Sequence, residues 1–359
     1  MCDNMTKRAV SLKVPKLQGE KTIVLTDRLK LIDKKLEIQK DEVFLYIPLL
    51  KQPSRNALET LRKDGIDFEI LNQRFTQRKE EPKLHEQLKS QLPPHLLASL
   101  PHAVDFIGEI AIIEIPSELE PYKKIVGQAI MKAHKNVRTV LAKAGAVSGT
   151  YRLREFNVIA GEHSTETIHK ESGCKFKVDV AKAYFSPRLS NEHKRIASMV
   201  QEGETIIDSF SGVGPFAILI AKTHEKVQVY AVDANPAAVD YLRFNIRLNK
   251  VMDKIRVLSG DAQQILNERL AGIADRIIMN LPERAIEFVD VACKALKPSG
   301  GMIHFYSFID ASSSIEQKKL EFKKKVEESG RIVEAFFSSK TVRETAPREW
   351  QVVIDAQIR

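Results

Sequence analysis

The chain has 359 residues, 43% hydrophobic and 29% charged, a composition that suits a soluble globular protein and a length that exceeds one average domain. No apolar run reaches membrane-spanning length, the start MCDNMTKRAVSLKVP lacks a signal-peptide core and does not read as an organelle presequence, and Cys2, Cys174 and Cys293 are too scattered for a zinc site or a disulfide framework. A cytoplasmic protein with no metal site and no membrane association is therefore expected. The net charge of +9 lies wholly in residues 1–200, which carry 34 Lys and Arg against 25 Asp and Glu; residues 201–359 carry 22 of each.

Residues 1–72 read as a small α/β unit, with strands at 9–14 and 43–48 and a helix within 21–34. Residues 73–94 are polar and charged up to Pro93-Pro94, the pattern of a linker. In the unit expected at 95–190, residues 106–115 (FIGEIAIIEI) form a strand pair or one long strand, and 122–144 a basic helix. A turn at 145–149 and strands at 152–159, 166–170 and 174–179 follow. Residues 122–154 hold Lys123, Lys124, Lys132, Lys135, Arg138, Lys143, Arg152 and Arg154 and no acid. Such a stretch attracts a polyanion through phosphate neutralisation and counterion release; it also suits a plain solvated helix face.

From Gly203 onwards strands and helices alternate strictly. Strands are expected at 205–208, 227–233, 255–258, 276–280, 302–308, 332–337 and 351–356, and helices at 216–222, 236–249, 262–270, 285–296 and 314–329. Short apolar strands separated by helices make a mostly parallel sheet covered on both faces. Seven strands, the last two joined by a hairpin-like loop, match a class I Rossmann-like methyltransferase sheet better than a six-stranded dinucleotide fold. The overall expectation is α/β: this sheet preceded by two smaller α/β or α+β domains.

Four signals fall at successive strand ends, where open α/β sheets bind ligands. In Asp208-Ser209-Phe210-Ser211-Gly212-Val213-Gly214-Pro215-Phe216, Gly212 and Gly214 permit a tight turn and Pro215 suits the first helical position. A third glycine for a pyrophosphate is missing, and Asp208 at the strand tip suits a sulfonium or an amino group instead. Asp233 can accept both hydroxyls of a ribose, Gly260-Asp261 suits an adenine amino group, and Asn280-Leu281-Pro282 can accept hydrogen bonds from an amine on a planar base. In this order and spacing the four signals indicate S-adenosylmethionine as cofactor.

The sequence resembles the archaeal and eukaryotic type of tRNA (guanine-37-N1)-methyltransferase over nearly its whole length. The resemblance rests on Tyr151-Arg152-Leu153-Arg154-Glu155, Ala160-Gly161-Glu162, Thr165-Glu166-Thr167-Ile168-His169-Lys170-Glu171, residues 178–189 (VDVAKAYFSPRL), the 208–216 turn, Asn280-Leu281-Pro282 and Ala346-Pro347-Arg348-Glu349. It implies an N-terminal module that recognises the tRNA body, a middle RNA-binding module and a catalytic domain at 191–359. It implies Glu192 as general base, Arg152 as the group stabilising guanine O6, and Asn280 and Pro282 as the turn holding the base. Tyr184, Asp208, Phe210, Gly212, Gly214, Asp233, Asp261 and Asn280 would contact the cofactor. Lys123, Lys132, Lys135, Arg138, Arg154 and Arg188 are the residues expected on RNA. The partner implied is a tRNA with guanosine at position 37, and a monomer is expected. His193 stands where the family commonly has Arg, which would weaken a phosphate contact near neutral pH.

The chemistry agrees with these roles. N1 of guanine carries a proton that methylation must remove, which asks for a carboxylate base, best with its pKa raised toward neutrality. Charge then grows on O6, where a fixed guanidinium can stabilise it. In-line placement of methyl and N1 supplies much of the remaining acceleration. Two related readings stay open: a wybutosine-pathway aminocarboxypropyl transferase, and a bifunctional methyltransferase acting also on a tricyclic guanosine derivative. A tRNA-binding protein with a relic cofactor fold is disfavoured by the retained acids.

Overall fold

The computed structural model describes residues 6–77, 84–101, 103–145, 149, 151–346 and 348–359. Residues 78–83 of the expected linker, 146–148 of the expected turn and Pro347 of the Ala346-Pro347-Arg348-Glu349 motif lie outside the described residues.

The chain divides into two units, Met1–Lys83 and Leu84–Arg359. In the first, β1 (Thr6–Pro15), β2 (Gln39–Lys40), β3 (Phe44–Pro48) and β4 (Glu69–Thr76) form an antiparallel sheet of order β2-β3-β1-β4. Leu12, Val14 and Ile47 of the sheet pack with Leu25 of α1 (Gly19–Arg28) and Leu61 of α2 (Arg55–Lys63). Helix α1 stops short of the expected residue 34, because Lys30 turns the backbone into the left-handed region at φ +54°. Strand β4 continues past residue 72 to Thr76.

The second unit opens with two short helices, α3 (Leu84–Leu88) and α4 (Pro94–Leu97), the first of which falls within the expected linker. Strands β5 (Val104–Ile107), β6 (Ile110–Ile113), β7 (Thr139–Lys143) and β8 (Phe156–Gly161) form a mixed sheet in that order. Residues 106–115 therefore contain a strand pair, turned at Gly108 with φ +56°. The helix expected over 122–144 is corrected to α5 (Lys123–Ala133) followed by β7. The physical reason is packing: Thr139, Val140, Leu141 and Ala142 are buried on both faces, where a β-branched and aliphatic run favours a strand.

A hairpin of β9 (Glu166–Glu171) and β10 (Cys174–Asp179) leads into α6 (Ser190–Met199). The large sheet then contains β11 (Thr205–Asp208), β12 (Gln228–Asp233), β13 (Ile255–Ser259), β14 (Arg276–Met279), β15 (Gly301–Asp310), β16 (Val333–Ala346) and β17 (Glu349–Ile358). Its order is β13-β12-β11-β14-β15-β17-β16, with β17 alone running against the rest. Helices α7 (Pro215–Thr223), α8 (Pro236–Asn249), α9 (Ala262–Arg269), α10 (Val289–Ala295) and α11 (Ile315–Glu328) cover it. One core joins Ile196, Ile220 and Leu242 of α6, α7 and α8 to the sheet; the other joins Leu266, Val289 and Phe322 of α9, α10 and α11.

The hairpin is tied to the body built on the large sheet. The Asn245 and Asn249 side chains of α8 accept from the backbone N–H groups of Lys177 and Lys175 and donate to their carbonyls, closing an edge that would otherwise be unpaired. The sheet of β5–β8 also shares a core with the glycine turn, where Ile110, Leu141 and Val178 meet Val213. Among the described residues no helix is long and apolar enough to cross a membrane.

Candidate active site

The strand order reverses between β11 and β14, which opens a crevice at the carboxyl ends of the parallel strands. The glycine turn sits there. Gly212 and Gly214 take φ +53° and +96°, and a Cβ on Gly214 would stand 2.5 Å from Leu242 Cδ1. Pro215 then starts α7. The turn is locked to the next strand by the Gly212 N–H, which donates to Asp233 Oδ2 at 2.6 Å, and Asp233 Oδ1 accepts from the Asn235 N–H at 2.8 Å.

Asp208 is wholly buried and no side chain or cation pairs with it among the described residues; the backbone N–H groups of Phe210 and Ala217 favour its ionised form. Burial pushes its pKa up to about 7, and the neighbouring Asp233 charge adds to the rise. Burial also raises Asp233. Two buried carboxylates with no cation between them form a site short of positive charge. A cavity beside them is lined by Ser209, Phe210, Gly212, Asp233, Asp261 and Phe288, and also by Tyr184, Arg152 and Asn280. Phe210 packs edge-on against Phe288 at 5.0 Å, and Asp261 caps α9 by accepting from the Gln264 N–H at 3.1 Å. Acids for a ribose and an amine, aromatic walls and an uncompensated buried anion fit S-adenosylmethionine, which carries a nucleoside, a sulfonium and an ammonium group.

Two further cavities adjoin. One shares Arg152, Tyr184, Phe210, Gly212 and Asn280 with the first and adds Leu189, His193, Phe216, Pro282, Arg343 and Gln351. The other is bordered by Lys143, Arg152, Arg154, Arg188 and Arg343. Arg152 borders all three. Its backbone is held at φ +57°, a strained position for a residue with a Cβ. The guanidinium lies over the Tyr184 ring at 5.0 Å and the Phe308 ring at 5.9 Å, and pairs with Glu283 at 3.3 Å. Its Nε is buried without a partner, which leaves a donor available to a ligand.

Asn280 follows β14 directly and lies on the wall of two of the cavities. Its Oδ1, expected to accept from a base, already accepts from Gln351 Nε2 at 3.0 Å. The Pro282 carbonyl accepts from the Phe308 N–H at 3.3 Å.

Glu192 is buried at 4% exposure and lies off all three cavity walls, while Leu189 and His193 on either side of it are on one. Arg195 grips it with two hydrogen bonds of 2.6 and 2.9 Å, the Tyr306 hydroxyl donates at 2.7 Å, and Lys340 stands 3.7 Å away. Burial raises its pKa, but the hydrogen bonds and charge of Arg195, the Tyr306 hydroxyl and Lys340 together outweigh burial and hold it below the usual range. The raised pKa that suits a base is thus not what this conformation provides. Arg195 also binds Asp355 at 2.6 Å, Asp355 accepts from His304 Nδ1 at 2.6 Å, and His304 Nε2 accepts from Arg276, itself paired with Glu204 at 2.7 Å.

His193 is 1% exposed, with Nδ1 at 2.7 Å from Glu171, so it is a buried structural partner and not a surface phosphate contact. The acid-free stretch 122–154 meets acids from elsewhere in the fold: Lys123 pairs with Glu120, Arg138 with Glu109 and Glu162, and Lys143 with Glu114. Lys132 and Lys135 remain exposed, Arg154 donates to the Gly145 carbonyl at 3.0 Å, and Arg188 forks onto Asp105 at 2.6 and 3.0 Å. Arg195, Tyr306, Arg343, Gln351 and Asp355 were not anticipated. A signal existed for two of them: Gln351 and Asp355 are polar residues four apart within an apolar strand, hence on one face.

Residues 167–335 match the TRM5/TYW2 methyltransferase domain, 84–165 the TYW2 N-terminal domain, and 11–57 the tRNA methyltransferase 5 N-terminal domain. The tRNA (guanine(37)-N(1))-methyltransferase Trm5b of Pyrococcus abyssi is 39% identical over 97% of this chain and 99% of its own length. The chain belongs to the TRM5/TYW2 methyltransferase family. A solved TRM5-type structure, a complex of aTrm5 and tRNALeu, superposes with a TM-score of 0.66 at 31% identity, covering 98% of this chain and 100% of that one. The tRNA(Phe) (4-demethylwyosine(37)-C(7)) aminocarboxypropyltransferase of Pyrococcus horikoshii is 32% identical over 77% of this chain and 96% of its own length. The family membership accords with the seven-stranded sheet and with S-adenosylmethionine as the group that the crevice fits.

Proposed function

We propose that this chain is a tRNA (guanine(37)-N(1))-methyltransferase that moves the methyl group of S-adenosylmethionine to N1 of the guanosine 3′ to the anticodon. The observation that carries the reading is the junction of the cavities. There Arg152 and Tyr184 line both the acid-lined cofactor cavity and the pocket bordered by Lys143, Arg154, Arg188 and Arg343, and Asn280 lines the cofactor cavity and the cavity that adjoins it. A monomer acting in the cytoplasm on tRNA completes the reading. Coverage favours methyl transfer over aminocarboxypropyl transfer. The aminocarboxypropyl relative matches 96% of itself but only 77% of this chain, while the guanine-N1 relative matches 97% and 99%.

S-adenosylmethionine supplies an electrophilic methyl group on a sulfonium. The protein does the rest. Asp233 and Asp261 hold the nucleoside, and the Asp208 carboxylate beneath the turn favours the positive end of the cofactor. Tyr184, Phe210 and Phe216 exclude water. Asn280 positions the edge of the guanine, and Arg152, with its unpartnered Nε, stabilises the charge that grows on O6. Glu192 is the proposed base for the N1 proton. To reach it, its carboxylate leaves the Arg195 fork and passes the Leu189–His193 wall, a tightening of the kind that substrate binding brings about at many sites. Lys132, Lys135 and Arg154 are proposed to neutralise phosphates.

The test is methylation of in-vitro transcribed tRNA with guanine or another base at position 37, with the product nucleoside identified by mass. The expected product is 1-methylguanosine, from guanine only. An aminocarboxypropyl adduct, or equal methylation of the other transcripts, refutes the reading. Single-turnover methylation by Glu192→Gln at a normal rate, with cofactor binding intact, would end the assignment of Glu192.

A further inference from the structure

The polarity of the hydrogen bonds behind Asn280 is fixed from one end. Arg343 is a donor only, since a guanidinium has no acceptor. Its Nε donates to Gln351 Oε1 at 2.9 Å, while its other nitrogens donate to Ser186 Oγ and Tyr184 Oη, both at 3.0 Å. Gln351 must therefore present Nε2 at its far end, and Nε2 donates to Asn280 Oδ1 at 3.0 Å. Gln351 is 1% exposed and has no room to reverse without facing its NH2 group to the guanidinium. The Asn280 amide is thereby oriented too. Its oxygen is turned toward Gln351, and its Nδ2, which meets no acceptor among the described residues, is the donor left on the cavity wall.

We infer that Arg343 and Gln351 are positioning residues that make Asn280 a hydrogen-bond donor toward the base, so that the site reads the 6-keto group of a purine. The inference rests on the proposed guanine-N1 chemistry and adds how guanine is told from other purines. A donor facing position 6 pairs with the O6 of guanine and strengthens as charge accumulates there. It meets only another donor in the amino group of adenine. Arg152 approaches the same cavity with a second donor, so two independent donors define the keto oxygen.

Gln351→Glu inverts the chain. A carboxylate accepts from Arg343 at one oxygen and from Asn280 at the other, so the Asn280 amide turns and shows its oxygen to the base. Gln351→Met only releases it. The expected result on tRNA with guanine at position 37 is a kcat loss of about 100-fold for Gln351→Glu and a smaller one for Gln351→Met, with KM changed by less than about threefold. A purely structural role for Gln351 predicts the opposite order, because Met loses both hydrogen bonds and Glu keeps both. S-adenosylhomocysteine binding by calorimetry verifies that each variant is folded and its cofactor side intact. Wild-type protein supplies the arm that needs no variant: transcripts with inosine at position 37, which keeps O6, should compete for the site far better than transcripts with 2-aminopurine, which lacks it. A Gln351→Glu protein that binds S-adenosylhomocysteine normally and keeps wild-type kcat overturns the inference. So does wild-type protein that binds the inosine and 2-aminopurine transcripts equally. Wild-type protein that forms no 1-methylguanosine at all is a separate outcome and removes the underlying reading along with this one.

Discussion

Replacing Arg195 with methionine tests whether the buried ion chain holds Glu192 as described. Arg195 is shared by two carboxylates whose side chains are 5% and 0% exposed, and its own side chain is only 18% exposed. Removing one partner of a buried pair costs about 3–5 kcal/mol, because the other charge is left uncompensated. For the unit Leu84–Arg359, at about 2.1 cal/mol/K per residue, that is a fall in melting temperature of roughly 5–9 °C near neutral pH. The pH dependence is the sharper signature. In the wild type Glu192 and Asp355 are both held below their ordinary values: burial opposes this, and it is outweighed by Arg195 and Tyr306 at Glu192, and by His304 and Arg195 at Asp355. Their contribution is therefore present above the unfolded carboxylate pKa of about 4 and is lost as pH falls through the folded values. Without Arg195, burial dominates at Glu192 and its pKa moves upward. A protonated carboxyl needs no counter-ion, so the deficit of the variant should be largest at pH 7–8 and shrink toward about pH 4. Thermal unfolding of both proteins across this range at constant ionic strength measures it. A deficit that does not vary with pH, or one below about 1 kcal/mol at neutral pH, which is the scale of an exposed pair, would refute the reasoning.

Asp208→Asn should raise the melting temperature of the free protein at pH 8 and leave it unchanged near pH 4. The rise of Asp208 from 3.8 to about 7 corresponds to about 4 kcal/mol of stability lost as pH climbs between those values. The same variant should gain less from added S-adenosylhomocysteine, read as a smaller thermal shift. Gly214→Ala places a Cβ 2.5 Å from Leu242 Cδ1 and 2.9 Å from Ile218 Cδ1 at φ +96°, and should cost about 1–3 kcal/mol by denaturant titration, with weaker cofactor binding. A fragment of residues 84–359 should bind S-adenosylhomocysteine as the full chain does but require more tRNA for half-maximal methylation. Unchanged kinetics on tRNA would deny the first unit a role in recognition.

Most of the large sheet was legible because β11, β12, β14 and β15 are largely buried apolar runs, each followed by a helix. Strands 205–208, 227–233 and 255–258 differ from β11, β12 and β13 by one residue at most. The exception is β16, read to residue 337 but paired through to Ala346, because the ladder with β17 extends a strand whose own residues are half exposed and carry little apolar pattern. The basic stretch misled for a related reason. Its lysines suggest a single solvated helix, yet the apolar residues between them divide into a helical face up to Ala133 and a doubly buried strand from Thr139. The glycine turn was legible from glycine, proline and acid spacing, since local backbone demands are written locally. The surroundings of Glu192 were not, because Arg195, Tyr306 and Asp355 come from three elements spread over 160 residues.

One strand connects the two sides of the reaction. In β17, Gln351 lies opposite Phe308 and Asp355 opposite His304 of β15, with Tyr306 opposite Val353 between them. Directly paired residues share a face of the sheet, so Gln351, Tyr306, His304 and Asp355 form one polar column. Because β17 alone runs antiparallel, its beginning lies at the ligand-binding edge and its later residues lie deeper. At the edge Gln351 fixes Asn280; further in, Tyr306 and the Asp355–Arg195 pair fix Glu192. The residue proposed to position the base and the residue proposed to take its proton are therefore held by the same face of one strand pair. Their relative placement depends on the register of β15 with β17, a ladder that pairs without a bulge from Gly301 to Asp310. A substitution that slips this register should disturb base reading and proton removal together, whereas changes confined to the glycine turn should act on stability and cofactor binding.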